Sequence, residues 1–389
     1  MRQAIAVLLV AFAIAAPARA NNRNLDRLNE VLAGKVVDYT RNHGVDRRLY
    51  STILQKYRDL YVYLPPGYTG ADPCNLIVWF HGAFGDEQIA FFLSRIEVLD
   101  RLIACGACGP TIVVFPDVTV SGLSNPLTAH SFMINGRAGC FEDHLLKEVV
   151  PFVERMYNVK REREARALAG VSAGGFSALS IGMRYRSQYS SIAALGPPAN
   201  LRCGNVYDRY FEDFDPATYR WREDYRPNEV VGKFLGGAVQ LRVAPFVNPI
   251  FGPSDVVMEN VRKYNPADLL FTENIQPGEL NLYVNYPKRD NFNFDAQAES
   301  FIYFAREKGL PITVIRDEQG RHTVDYFQES MPTMWKWLAR HLPGGGLRPE
   351  MLLHGGLPVL DASLGSSLHE ASGSHSNELP ILNATIKRP

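Results

Sequence analysis

The chain has 389 residues, enough to bury a large core, and it is long for one domain but short for two full ones. Hydrophobic residues make up 46% and charged residues 21%, which is typical of a globular protein and excludes a disordered one. The formal net charge is zero and no block of like charge occurs, so neither nucleic acid nor an anionic membrane surface is an expected partner.

The first 20 residues have the pattern of a secretory signal. Arg2 precedes an apolar stretch over residues 4–16, and Ala18 and Ala20 are the small residues expected before a cleavage site. The stretch is short for a bilayer span, so a membrane anchor is the less favoured alternative. We expect a secreted or periplasmic protein that begins at residue 21 and has no integral membrane segment after cleavage.

Export would make disulfides possible for an odd set of five cysteines: Cys74, Cys105, Cys108, Cys140 and Cys203. Cys105 and Cys108 form a lone C-x-x-C without a second pair or a histidine pair at zinc spacing. A structural disulfide that involves one of these two is therefore favoured over a metal or redox site. No metal and no cofactor is expected.

Strand and helix patterns alternate along most of the chain. Apolar or alternating runs predict strands over residues 60–64, 76–80, 111–115, 166–169, 191–195, 281–286 and 312–316. Helical spacing predicts helices over residues 141–157, 173–184, 296–308 and 327–342. Continuous apolar strands are typical of a buried parallel sheet. The predicted fold is α/β, with a doubly wound, mostly parallel sheet.

Two segments break this alternation. Residues 199–274 read as an insertion rich in aromatic residues, either a packed surface excursion or a lid whose aromatics line the substrate site; these aromatics are Tyr207, Tyr210, Phe211, Phe214, Tyr219, Trp221 and Tyr225. Residues 343–389 carry glycine, serine and histidine without periodicity and are expected to form a flexible tail. The folded domain would cover residues 21–342 and would include the insertion over residues 199–274.

The sequence Gly170-Val171-Ser172-Ala173-Gly174-Gly175 lies between a predicted strand and a predicted helix. That is the pattern of a nucleophile elbow, in which a strained turn projects a serine from the end of a strand. The helix behind it would direct unpaired N–H groups at an oxyanion beside Ser172. A short glycine-rich motif also occurs by chance, so the other catalytic groups must decide.

A serine nucleophile needs a base and an acid, which in this fold follow it in the order acid, then histidine. His322 lies between the last predicted strand and the last predicted helix, where the base is expected. Asp290 follows the strand over residues 281–286 and is the favoured acid. The rival is Asp295, for which an N-cap of the next helix is the competing interpretation.

Two backbone N–H groups are needed to bind the oxyanion. The residue after the nucleophile, Ala173, would supply one. The second is expected from the loop His81-Gly82-Ala83-Phe84-Gly85, which follows an early strand, and Ala83 is the candidate.

These motifs together resemble the esterase D or putative esterase family of α/β-hydrolases, which includes feruloyl esterases, S-formylglutathione hydrolases, enterochelin esterases and the antigen 85 mycolyltransferases. The matching segments are Tyr61 to Tyr68, the His81-Gly82 loop, Phe141 to Leu145, the helix ending in Tyr157, the elbow with Gly175, Asp290 to Gln297 and Gly320 to Thr323. The resemblance covers roughly residues 50–342. It implies an α/β-hydrolase fold, Ser172 as nucleophile, His322 as base, Asp290 as acid, and oxyanion donors at Ala173 and near Ala83.

We therefore expect an exported serine carboxylesterase that acts on a small-molecule, carbohydrate or lipid ester through an acyl-enzyme on Ser172. One alternative is an acyltransferase that passes the acyl group to a sugar or lipid hydroxyl. Another, less favoured, is a non-catalytic binding protein with the same fold.

Overall fold

A computed structural model describes residues 22–41, 45–83, 85, 94–122, 129–234 and 237–346. The predicted signal over residues 1–20 and the tail beyond residue 346 lie outside these residues. In chain order the strands are β1 (Lys35–Tyr39), β2 (Leu49–Ser51), β3 (Lys56–Arg58), β4 (Leu60–Leu64), β5 (Asn75–Phe80), β6 (Thr111–Pro116), β7 (Asn135–Gly136), β8 (Gly139–Cys140), β9 (Arg166–Val171), β10 (Ser191–Leu195), β11 (Cys203–Asn205), β12 (Tyr219–Trp221), β13 (Val230–Phe234), β14 (Val239–Arg242), β15 (Asn281–Pro287) and β16 (Ile312–Asp317).

The α-helices in the described part of the chain are α1 (Asn22–Val31), α2 (Ile96–Ala104), α3 (Phe141–His144), α4 (Val150–Met156), α5 (Ala173–Arg184), α6 (Ala244–Phe251), α7 (Val257–Tyr264), α8 (Pro266–Thr272), α9 (Phe294–Glu307) and α10 (Val324–His341). A π-helical segment, Leu145–Val149, joins α3 to α4 without a break, so the helix predicted over residues 141–157 is present with one irregular turn. A single 3-10 turn, Arg163–Ala165, leads into β9.

Eight strands form one sheet in the order β1-β4-β6-β5-β9-β10-β15-β16. Only the pairs β1 with β4 and β4 with β6 are antiparallel, whereas the five pairs from β6 to β16 are parallel. All seven predicted strands belong to this sheet. The prediction of an α/β fold with a doubly wound, mostly parallel sheet is confirmed.

Both faces of the sheet are covered, which explains the continuous apolar runs. In β5, Leu76, Val78 and Phe80 face one hydrophobic cluster, and Ile77 and Trp79 face the other. This follows because successive side chains of a strand point to opposite faces. Residues of α5 and α9 contribute to the first cluster, and residues of α2 and α10 to the second.

Two helices begin earlier than predicted because their caps were not recognised in the sequence. Thr323 caps α10, its Oγ1 accepting the N–H of Tyr326 at 3.4 Å, so the helix begins at Val324 instead of residue 327. Asn293, in the left-handed region with φ +60°, precedes α9, which begins at Phe294 instead of residue 296.

The segment over residues 199–274 contains two small hairpins, β11 with β12 and β13 with β14, and the helices α6, α7 and α8. Most of the aromatic residues named above for this segment pack inside the protein and do not line a site. Trp221 stacks on Phe304 with ring centroids 5.1 Å apart, and Tyr219 packs against the same ring. Tyr207 is exposed. The contacts of Tyr219 and Trp221 are those of a packed surface excursion, and the interpretation of the segment as a lid stays a prediction.

The predicted disulfide is wrong, because all five cysteines carry free thiols. Cys105 caps the end of α2 and is exposed, its Sγ 3.5 Å from the carbonyl oxygen of Leu102. Cys108 points into the core towards Thr111, with 3.6 Å between Sγ and Oγ1. The two side chains thus point to different environments.

The first residues of the predicted tail are packed against the sheet domain. The carbonyl oxygen of Pro343 accepts a hydrogen bond from Nδ2 of Asn75 at 2.9 Å, and the N–H of Gly346 donates to Gly106 at 3.3 Å. The part of the chain that the structure describes contains no helix long and apolar enough to cross a bilayer.

Candidate active site

Ser172 lies in a sharp turn between β9 and α5, as the elbow motif predicts. Its φ of +53° and ψ of −124° are strained for a residue with a side chain, and its N–H donates to the carbonyl of Leu195 at 2.7 Å. Glycines flank the serine because backbones meet there. A Cβ at Gly170 would lie 2.4 Å from the carbonyl oxygen of Gly174, and one at Gly174 would lie 2.3 Å from that of Phe80.

The structure brings Ser172, His322 and Asp290 together in one chain of hydrogen bonds. His322 Nε2 lies 2.9 Å from Ser172 Oγ, and His322 Nδ1 lies 2.7 Å from Asp290 Oδ2. The other oxygen of Asp290 accepts the N–H of Phe292 at 2.7 Å. In this arrangement Nδ1–H donates to the carboxylate, so Nε2 is free to accept the serine proton.

The sheet determines this meeting point. Ser172 follows β9, Asp290 lies three residues beyond β15, and His322 follows β16, so all three lie at the carboxyl ends of parallel strands. The Asp290 side chain is fully buried and that of His322 is 8% exposed. The rings of Phe292, Phe294 and Phe327 surround the imidazole, with centroids 4.9–5.4 Å away.

Asp295 occupies a different environment from Asp290. It lies in the first turn of α9, and its Oδ2 accepts a hydrogen bond from Lys288 at 3.1 Å. Burial, and to a smaller extent the Asp290 carboxylate, raises the pKa of Asp295 to about 6, although Lys288 opposes the shift. The interpretation of Asp295 as an N-cap is wrong, since Asn293 holds the cap position.

The two candidate oxyanion donors both lie beside Ser172. Ala173 is the first residue of α5, and the first N–H groups of a helix have no partner within it. Ala83 lines the same cavity as Ser172 and Ala173. Gly82 allows this approach, because a Cβ there would lie 3.2 Å from that of Ser172. Phe84 of the predicted loop lies outside the described residues.

Ser172 and His322 open into a cavity of about 330 Å³ with a mainly apolar lining. One part of its wall comes from the sheet domain, including Ala129, Phe132, Phe292, Phe294 and Phe327. The other part comes from the insertion, and its residues are Leu201, Tyr210, Arg222, Asp224, Tyr225, Arg226, Glu229, Val231, Val243, Pro245, Phe246, Val247, Val257, Met258 and Val261. Residues 201–261 thus contribute to the cavity wall beside Ser172, and more of these residues are aliphatic than aromatic.

Sequence reasoning missed two groups of residues at the site. The cavity-lining residues of α6 and α7 carry no chemical motif, although their apolar character in an inserted segment was a usable signal. His130 was also missed: its Nε2 lies 2.9 Å from the carbonyl oxygen of His81, and no pattern in its neighbourhood pointed to that contact. Among the described residues, no group of three or more His, Cys, Asp or Glu side chains is placed to hold a metal ion.

Residues 51–338 match the model of a family described as Putative esterase. An esterase from Mycobacterium tuberculosis, Esterase Rv1288, is 29% identical over 143 residues, which is 36% of this chain. The match spans only 29% of the length of that protein.

Solved structures share the fold over a larger part of the chain. A ferulic acid esterase superimposes with a TM-score of 0.57 at 18% identity, and covers 79% of this chain and 99% of its own. An S-formylglutathione hydrolase from Agrobacterium tumefaciens has a TM-score of 0.57 at 15% identity, with coverage of 80% and 97%. At such identities the likeness shows the fold alone, and it confirms the α/β-hydrolase fold.

Proposed function

The chain belongs to the Putative esterase family, whose model covers residues 51–338, and from that premise we propose that it is a serine carboxylesterase that acts through an acyl-enzyme on Ser172. The observation that carries the proposal is the hydrogen-bond chain from Ser172 Oγ through His322 to Asp290, at the mouth of an apolar cavity.

In the acylation step Ser172 Oγ attacks the ester carbonyl carbon while its proton passes to His322 Nε2. The distance of 2.9 Å between Oγ and Nε2 is within hydrogen-bond reach, as general-base catalysis requires. Asp290 holds Nδ1–H and stabilises the imidazolium that forms. Burial of Asp290 strengthens this interaction, because less water screens it.

The carbonyl oxygen becomes an oxyanion in the tetrahedral intermediate. The N–H groups of Ala173 and Ala83 would donate to it, and the N-terminus of α5 adds a partial positive charge. Collapse of the intermediate breaks the bond to the alcohol oxygen, which takes the proton from His322 Nε2. Water then repeats the sequence on the acyl-enzyme and releases the acid and free Ser172.

The cavity favours an ester with an apolar acyl or aryl group. Each methylene group moved from water into such a cavity contributes about 0.8 kcal/mol. Feruloyl, acetyl, siderophore and lipid esters of small molecules, carbohydrates or lipids remain the candidate substrates, and no cofactor takes part in the proposed steps.

Hydrolysis of p-nitrophenyl esters of increasing acyl length, run beside a feruloylated sugar, tests the proposal. The wild-type protein should cleave at least one of them, and Ser172→Ala should lose about 10⁴-fold or more of kcat. Ser180→Ala is a matched control, since Ser180 is a buried serine of α5 that does not line the cavity. Equal rates for wild type and Ser172→Ala would refute the proposed nucleophile.

Acyl transfer to a sugar or lipid hydroxyl uses the same acyl-enzyme, and the apolar cover from the insertion is the observation that favours it. Product analysis with and without added alcohol acceptors separates the two. A transferase yields mainly the new ester when acceptor is present, and a hydrolase yields mainly the free acid.

Failure of a fluorophosphonate probe to label the protein would instead indicate a non-catalytic binding protein.

We further propose that the protein is exported to the periplasm or the medium, on the basis of the signal pattern over residues 1–20. Expression of the full chain followed by N-terminal sequencing of the product tests this. Export predicts a mature N-terminus at Asn21 in the periplasmic or secreted fraction. An uncleaved cytoplasmic product would contradict it.

A further inference from the structure

We propose that His81 and His130 are positioning residues that hold the oxyanion-binding loop by fixing two successive peptide groups, His81–Gly82 and Gly82–Ala83. The inference rests on the proposed function, because it concerns the N–H of Ala83 as a donor to the oxyanion. Neither histidine touches the reacting atoms in the proposed mechanism. Both act through the backbone.

Two hydrogen bonds fix the orientation of the His81 ring and the role of each of its nitrogens. The N–H of Val118 donates to His81 Nε2 at 3.1 Å, so Nε2 is the acceptor and the ring proton is on Nδ1. Nδ1–H then donates to the carbonyl oxygen of Gly82 at 2.8 Å. The side chain is only 1% exposed, so water does not compete for either bond.

This bond sets the direction of the Ala83 N–H. In a planar trans peptide the C=O and the following N–H point in opposite directions. The carbonyl of Gly82 is held by His81 Nδ1–H and more weakly by the N–H of Gly85 at 3.4 Å. A glycine peptide would otherwise rotate readily, because glycine has access to many backbone conformations.

His130 holds the preceding peptide in the same way. Its Nδ1 accepts the N–H of Phe132 at 2.9 Å, and its Nε2–H therefore donates to the carbonyl oxygen of His81, also at 2.9 Å. Burial lowers the pKa of His130 to about 3, so over the range in which esters are assayed the ring stays neutral and Nδ1 keeps accepting the N–H of Phe132. The two imidazoles meet edge to face, 5.5 Å apart.

The carbonyl of His81 also touches the elbow. A Cβ at Gly174 would lie 2.4 Å from this oxygen, so the start of α5 packs directly against it. The carbonyl that His130 holds thus belongs to the segment that leads to Ala83 and contacts the helix start that carries Ala173. A shift of this peptide would move the donors relative to each other, and catalysis is sensitive to such shifts.

A purely structural role for two buried histidines predicts lower stability without a specific effect on the transition state. The test therefore measures kcat, KM, the melting temperature and the inhibition constant of a trifluoromethyl ketone. That inhibitor forms a hemiketal with Ser172 Oγ, whose negatively charged oxygen requires the same donors as the proposed oxyanion. The variants are His81→Phe and His130→Phe, which remove the donors, and His81→Asn and His130→Gln, which keep an N–H near Nδ1 and Nε2.

We expect each Phe variant to lose about 10- to 100-fold in kcat with KM nearly unchanged, since the lost interaction forms mainly in the transition state. The inhibition constant should rise by a similar factor. The Asn and Gln variants should recover most of both losses. His144→Gln is the control: His144 is 1% exposed but bonds Glu148 away from the site, so it should lower the melting temperature alone.

Folded Phe variants with the wild-type kcat and inhibition constant would overturn the inference. If the Phe variants do not fold, the comparison of His130→Gln with His130→Asn tests the positioning role. The Asn side chain is too short to reach the His81 carbonyl, so its kcat should be lower than that of the Gln variant. Equal kcat values for the two variants would overturn the inference. The proposed function fails separately, if wild type cleaves no ester or Ser172→Ala remains active. An active wild type with unaffected histidine variants refutes the positioning role only.

Discussion

The Asp290 carboxylate lies 2.7 Å from His322 Nδ1, whereas Asp295, five residues later, contacts Lys288. In the sequence both residues are candidates for the acid of the catalytic triad. They differ because the chain turns between them, with the left-handed Asn293 starting α9. Asp290 is thus directed into the site and Asp295 away from it.

Asp290→Asn should lower kcat by about 10⁴-fold, because an amide in this position no longer favours the tautomer of His322 that accepts the serine proton. Asp295→Asn is the matched control and should change kcat by less than about tenfold. Steady-state kinetics on one p-nitrophenyl ester measures both. A larger loss for Asp295→Asn would reverse the assignment.

Gly82→Ala should lower kcat by about 10- to 100-fold with little change in KM. The new methyl group would lie 3.2 Å from Ser172 Cβ and 3.4 Å from the carbonyl oxygen of Val171, so either the loop or the nucleophile must shift. Gly346→Ala is a suitable control, since a Cβ there meets nothing within 4 Å. Wild-type kcat for Gly82→Ala would show that the loop does not need this close approach.

Phe246→Ala should shift the preference towards longer acyl chains, because Phe246 of α6 forms part of the cavity wall. The ratio of kcat/KM for long over short p-nitrophenyl esters should rise by roughly fourfold per methylene accommodated, which corresponds to about 0.8 kcal/mol. Phe152→Ala, which removes an aromatic packed against Tyr39 outside the cavity, should leave the ratio unchanged. If the ratio were unchanged in Phe246→Ala, this part of the cavity wall would not determine the preference for acyl length.

His130 should make stability fall with acid. Its folded pKa of about 3 lies below the unfolded value of about 6.5, so the unfolded chain binds the extra proton between those values. The contribution is complete above pH about 6.5 and is lost towards pH 3, by up to about 1.4 kcal/mol per pH unit. The free energy of unfolding, measured in urea at several pH values, should depend less steeply on pH in His130→Gln than in the wild type. The neighbouring titratable groups His81 and Asp117 are the same in both proteins. If the free energy of unfolding depended on pH equally in the two proteins, the lowered pKa of His130 would be contradicted.

The sheet was predictable because β5, β6, β9 and β10 are buried on both faces, which leaves an apolar run in the sequence. β1 was missed, since Lys35–Tyr39 is an edge strand with mixed burial and no such run. The starts of α9 and α10 were misplaced. Asn293 precedes α9 in a left-handed backbone conformation that composition does not reveal, and Thr323 caps α10 through its side-chain oxygen, a cap that the helical spacing alone did not indicate.

The catalytic roles of Ser172, Asp290 and His322 could be predicted from their order, because each residue follows the carboxyl end of a parallel strand of the sheet. The role of His130 could not be predicted, since its partner is a backbone carbonyl, that of His81, 49 residues away in the chain. The prediction of a disulfide that involves Cys105 or Cys108 failed because the sequence says nothing of where these side chains point.

Ser172 is tested most directly as the nucleophile by labelling the protein with a fluorophosphonate and identifying the modified residue by peptide mass mapping. We expect one adduct per chain, on Ser172, which forms much more slowly in Asp290→Asn and is absent in Ser172→Ala. Labelling of another residue, or equal labelling of the Ser172→Ala protein, would contradict Ser172 as the activated nucleophile.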